Sequence, residues 1–148
     1  MSNRLFNTPF ELSLHVVMLL DTVDAAVTLD RIAAYDFIAI YSEDFAISEN
    51  ALNGENGFAF SELSARRKLI KAALKDLVVD GLVTVDDNET GILYAVSTAG
   101  RTMSEGFCSE YAARYKELMR LVSEKYDNYD DVRLFDEINR QSTKSLRR

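Results

Sequence analysis

The chain has 148 residues, 17 basic against 24 acidic, for a formal net charge of −7 and a pI near 4.7. That length fits one domain, which buries about two-thirds of the surface it exposes when unfolded, and a hydrophobic content of 47% supplies a core. The acidic balance excludes a free-standing, non-specific nucleic-acid binder, which carries a basic surplus, and a single cysteine, Cys108, excludes an internal disulfide.

Thr8-Pro9-Phe10-Glu11 predicts a helix start. Threonine caps the free amides, proline suits the first helical position, and glutamate three residues on reaches back. The helix over 9–22 is apolar around most of its circumference, so it is expected to be buried on more than one side, as a central helix or a docking face. Residues 10–20 are too short to span a bilayer and no small-residue cleavage site follows them, which predicts a cytoplasmic protein with no membrane contact. Thr28 caps a second helix over 29–41. Residues 42–60 contain Asn53-Gly54-Glu55-Asn56-Gly57 and read as a loop. A third helix over 61–80 stops at Gly81, a left-handed cap. Leu82–Val85 and Ile92–Val96 alternate as two strands around a polar turn. Thr98 starts another helix, 109–126 carries Tyr111, Tyr115, Leu118, Met119, Val122 and Tyr126 at helical spacing, and a short helix over 129–140 precedes a mobile basic tail, Gln141–Arg148.

Three helices, a hairpin and further helices predict a mainly α fold with a small β-hairpin: a winged helix with a C-terminal helical extension. Residues 1–126 form the winged-helix domain with its extension, and residues 127–148 a short helix and tail. Ser97-Thr98-Ala99-Gly100-Arg101 stands where winged helices of many bacterial regulators carry leucine-threonine-x-x-glycine as the chain leaves the wing.

The third helix is a basic island. Residues 61–80 hold five basic and three acidic residues, whereas residues 1–60 hold two and nine. Leu63, Ile70, Leu74 and Leu77 lie within about 40° of one another on a helical wheel and form the core stripe. Ser64, Lys68, Lys71 and Lys75 form a second stripe roughly 100° away. Lys68, Lys71 and Lys75 are candidates for contact with phosphate or with an acidic partner, beside the plainer reading of a solvated face. They do not read bases, because sequence readout uses arginine, asparagine or glutamine. Arg66 and Arg67 border the core stripe and call for carboxylates. Asp36 or the acidic segment 43–55, including Asp44, would supply them, in internal ion pairs or pairs with another chain. Ala65, Leu69, Ala72 and Val79 make a further apolar strip where a neighbouring helix would approach closely. Residues 42–60 separate the second and third helices by more than the short turn of a helix-turn-helix, which weighs against DNA reading.

His15, the sole histidine, is expected to be a hydrogen-bonded structural or interface residue. Cys108 is expected to pack as a small helix residue. Asp127, Asp130, Asp131 and Asp136 lack the spacing of a calcium loop and read as a solvated patch or helix N-terminal charge. There is no P-loop, no glycine-rich dinucleotide turn and no nucleophile elbow. No enzyme activity, cofactor, metal or small-molecule substrate is expected.

The runs "NTPFELSLHVVMLL", "AAYDFIAIYSEDF", "SELSARRKLIKAALKDLVVDGLV" and "CSEYAARY", across roughly residues 5–125, resemble the middle components of ABC three-component systems, as in Lamassu-type antiphage defence. Asp36, Phe37, Tyr41, Ser42, Asp44, Phe45, Glu62, Leu63, Arg66, Arg67, Gly81, Tyr111, Ala112 and Arg114 carry the likeness. The resemblance implies a winged-helix adaptor on an SMC-like ATPase, coupling it to an effector, commonly a nuclease, and contacting DNA only through the complex. The alternative is a dimeric winged-helix transcription regulator that touches DNA with Lys68, Lys71 and Lys75.

Overall fold

A computed structural model describes residues 8–47 and 60–146. In chain order these form α1 (Pro9–Val23), α2 (Leu29–Ile40), α3 (Phe60–Val79), β1 (Val83–Asn88), β2 (Gly91–Val96), α4 (Thr98–Glu105), α5 (Glu110–Tyr126) and α6 (Asp131–Leu146). The described residues are thus mainly helical, six helices with one antiparallel hairpin.

Local chemistry sets the boundaries. The Thr8 hydroxyl accepts from the Glu11 amide at 3.3 Å and donates to the Glu11 carboxylate at 2.8 Å, with Pro9 at the first position of α1. Thr28, Ser97 and Ser109 cap α2, α4 and α5 in the same way, each accepting from the amide three residues on. Gly81 ends α3 with φ +78°, a conformation that costs other residues backbone strain. The Leu82 amide then bonds back to the Leu77 carbonyl at 2.9 Å.

β1 and β2 pair from Val83↔Val96 to Asn88↔Gly91, so the turn is only Glu89-Thr90. The strands therefore run further into the polar tip than the alternation of apolar residues marks. Val27, between α1 and α2, adds a bridge to β2: it exchanges two backbone hydrogen bonds with Tyr94, at 2.9 and 2.8 Å. Gly100 lies where α4 crosses the base of the hairpin. A Cβ there would meet the Leu82 carbonyl oxygen at 2.1 Å and Val96 Cγ2 at 2.8 Å.

α1 is the central helix. It packs against α2, α3, α4, α5 and β2, and Leu12, Val16, Val17, Leu19 and Leu20 are buried. Tyr115, Leu118, Met119, Val122 and Tyr126 of α5 complete the core with Leu63, Ile70, Leu74 and Leu77 of α3.

The C-terminal end departs from the sequence reading. α6 starts at Asp131 and continues to Leu146, so most of Gln141–Arg148 is helix rather than mobile tail. Leu134, Ile138 and Ser142 recur at helical spacing and are buried, and burial of that stripe holds the last turns. Phe135 meets Phe60 edge-on at 6.5 Å. Arg31 of α2 fixes the turn before α6, pairing with Asp131 at 3.2 Å and donating to the Tyr129 carbonyl. Of the anticipated loop over 42–60, residues 42–47 form turns around buried Phe45, 48–59 lie outside the described residues, and Phe60 opens α3.

Candidate functional site

α3 divides the molecule into a buried charged centre on its inner side and an exposed cationic side outward. The inner centre is Asp36, 1% exposed, in the middle of α2. Its Oδ1 accepts from His15 Nδ1 of α1 at 2.9 Å and from the Tyr115 hydroxyl of α5 at 2.7 Å. Its Oδ2 accepts from Arg66 of α3, Nε at 3.1 Å and Nη2 at 2.7 Å. One carboxylate therefore ties four helices together. A carboxylate only accepts, so the His15 proton facing it sits on Nδ1, and Nε2 meets the Tyr111 hydroxyl at 3.1 Å. The His15 ring stacks on Tyr115 with centroids 4.2 Å apart.

Burial by itself raises the Asp36 carboxyl. The Arg66 guanidinium, His15 and the Tyr115 hydroxyl outweigh it and hold the group well below the usual carboxylate range. Burial first, and then Asp36, push the Tyr115 hydroxyl well above its ordinary value, so it remains a donor.

Arg67 turns the other way. It pairs with Asp30, in the first turn of α2, at 2.6 Å, with both side chains about 40% exposed. Of the carboxylates expected for the arginines, Asp36 pairs with Arg66, while Arg67 takes Asp30, which the sequence reading did not name. Asp44 is half-buried in the turn after α2, where its amide donates to the Tyr41 carbonyl at 2.9 Å. Glu49 and Glu55 of that segment lie outside the described residues.

Lys68, Lys71 and Lys75 are all exposed on the outer side of α3. Ala65, Leu69, Ala72 and Val79 are exposed as well, Leu69 by 40% and Val79 by 84%. The hairpin tip carries Asp86, Asp87 and Glu89, all exposed. The outer side of α3 and the tip of the hairpin thus differ in sign.

A groove of about 600 Å³ opens between α1 and the start of α5, lined by Leu14, His15, Met18, Phe107, Tyr111 and Ala112 among others. Cys108 is on its rim and exposed, between α4 and α5, not packed within a helix as its residue type suggests. Two members of the acidic patch have structural work: Asp130 accepts from the Arg133 amide at the start of α6, and Asp131 holds Arg31 and the Thr28 hydroxyl. Among the described residues no group of three His, Cys, Asp or Glu side chains is placed to hold a metal ion, and no helix is long and apolar enough to cross a membrane.

The sequence reading noted Tyr111 and Tyr115 at helical spacing but missed their polar task. The signal was there: His15 is the one polar residue in Leu14–Leu20 and Asp36 the one charge in Ile32–Ile40, and two lone polar groups in apolar helices need partners on facing helices.

The described residues thus form a mainly helical fold with one hairpin, a buried charged hub and exposed lysines along the outer side of α3. Residues 5–148 match the family model of the ABC-three component (ABC-3C) system Middle Component 2, and the chain belongs to that family. Membership makes it one part of a multi-protein system. No curated protein and no solved structure matches it.

Proposed function

We propose that the chain is a non-catalytic winged-helix adaptor that joins an SMC-like ABC ATPase to an effector, commonly a nuclease, in Lamassu-type antiphage or anti-plasmid defence. Support for the winged helix comes from the order α1–α2–α3–hairpin and from the Val27–Tyr94 bridge, a single antiparallel bridge beside β2. Support for the assembly comes from the family match.

The observation that carries the adaptor reading is the outward side of α3. Its lysine stripe and apolar strip hold Lys68, Lys71, Lys75, Leu69 and Val79 but no arginine, asparagine or glutamine, and the part-exposed Arg67 beside them is paired with Asp30. Specific base readout uses those missing side chains in paired hydrogen bonds. The wing beside it offers Asp86, Asp87 and Glu89 to solvent, which repel phosphate. An apolar strip bordered by lysines suits a protein surface better than a DNA groove.

The one-turn spacing of Lys68, Lys71 and Lys75 favours the second reading, a dimeric winged-helix transcription regulator with those lysines on the DNA backbone. Co-expression with the proteins encoded beside it, followed by size-exclusion chromatography with light scattering, separates the two. The adaptor elutes in a complex with an ATPase, with or without DNA. A lone dimer that binds its own promoter would overturn the adaptor reading.

A further inference from the structure

We propose that the outward side of α3 seats a single amphipathic helix with an acidic flank, contributed by another subunit of the complex. This rests on the adaptor reading and adds the chemistry of the partner.

Ala65, Leu69, Ala72, Asp76 and Val79 follow one another at intervals of four, three, four and three residues. That alternation is the seam along which one helix packs beside another. It runs about 21 Å along α3, four turns of helix. All five residues are exposed, and Val79 leaves 84% of its surface in water. The alanines let a second backbone approach to about 8 Å, while Leu69 and Val79 supply the apolar contact.

The two borders of the seam differ. Lys68, Lys71 and Lys75 line one border, exposed and without a carboxylate partner among the described residues. On the other border Arg66 and Ala73 are buried against the molecule's own core. A visiting helix therefore leans toward the lysines, and carboxylates at one-turn spacing on its flank would meet them.

Charge also argues against the other occupants. A second copy packed antiparallel through the same seam sets lysine border against lysine border. Packed parallel, it sets Asp76 against Asp76. Both arrangements place like charges in contact. A DNA backbone would answer the lysines but leave the apolar Leu69 and Val79 against phosphate.

The test places a photo-crosslinking amino acid at Leu69 in the co-expressed complex and maps the product by mass spectrometry. In parallel, a Lys68→Glu, Lys71→Glu, Lys75→Glu chain is assayed for association and for its unfolding midpoint. The expected product joins position 69 to an acid-flanked helix of a partner subunit. The charge reversal should weaken association by about tenfold or more and leave the midpoint near wild type. A product with a second copy of this chain or with DNA, or a complex that forms unchanged in the reversed variant, would overturn the seat and leave the adaptor standing. Failure of wild-type chain to form any complex would remove the adaptor reading itself.

Discussion

Arg66 and Arg67 are neighbours on one helix and end in opposite settings. Arg66 is 8% exposed and locked to Asp36, a carboxylate that also holds His15 and Tyr115. Arg67 meets Asp30 at the surface, where both partners remain about 40% in water. One step of about 100° around α3 separates a charge that holds the fold from one that barely affects it. A further step reaches Lys68, exposed and free for another molecule. The inner side of α3 thus uses its polarity to join four helices, and the outer side leaves its own in solvent.

The largest test of that contrast is Asp36→Ala. It strands Arg66 and leaves His15 and Tyr115 without their acceptor, and unpairing a buried charge costs about 3–5 kcal/mol. Urea unfolding should show that loss, and a cost below about 1 kcal/mol, the range of a surface pair, would erase the difference between the two sides. Acid should find the same hub. The Asp36 carboxyl is held below its unfolded value, so its contribution is full above about pH 4, the ordinary carboxylate range. It is lost as pH falls from there through the depressed native value. Between pH 5 and 2, Asp36→Asn should lose less stability on acidification than wild type does. Equal slopes would mean that other carboxylates govern acid unfolding.

A smaller effect is expected at the base of the hairpin. Gly100→Ala sets a methyl group 2.1 Å from the Leu82 carbonyl oxygen, a clash of backbone against side chain that costs roughly 1–3 kcal/mol. Thermal melts should show a drop of several degrees, at about 2–4 °C per kcal/mol for a chain of this size. An unchanged melting temperature would show that α4 slides freely on the hairpin.

Arg67→Ala comes next. A surface pair of this exposure contributes about 0–1 kcal/mol, so its unfolding midpoint should sit far closer to wild type than that of Arg66→Ala. Similar losses for the two would contradict the division of α3. The smallest effect belongs to Lys68→Ala, Lys71→Ala, Lys75→Ala. Exposed substitutions of this kind usually stay within about 0.5 kcal/mol each, and circular dichroism should report an intact fold. Unfolding of the triple variant would place the lysines against the core.

Much of this was legible before the fold was known. Caps at Thr8 and Thr28, the stop at Gly81 and the periodic leucines of α3 are local signals, and they placed the helices within a residue or two. The order of helices and hairpin followed from them. What was not legible depended on distant neighbours. The Val27 bridge needs Tyr94 of β2, far along the chain, to pair an otherwise ordinary connector with the hairpin. The last turns of α6 look polar and basic alone, and they are helical because Leu134, Ile138 and Ser142 find cover. Asp30 as the partner of Arg67 depends on how α2 crosses α3, which no spacing within either helix reveals.

The most direct test is the mass, by light scattering, of the co-expressed complex built with the outward α3 variant Lys68→Glu, Lys71→Glu, Lys75→Glu. The variant should match wild type in its unfolding midpoint, yet elute free of the partner that wild type retains. A variant that still elutes in the full complex, or that unfolds before it can assemble, would contradict a helix whose inner side builds the fold and whose outer side grips the partner.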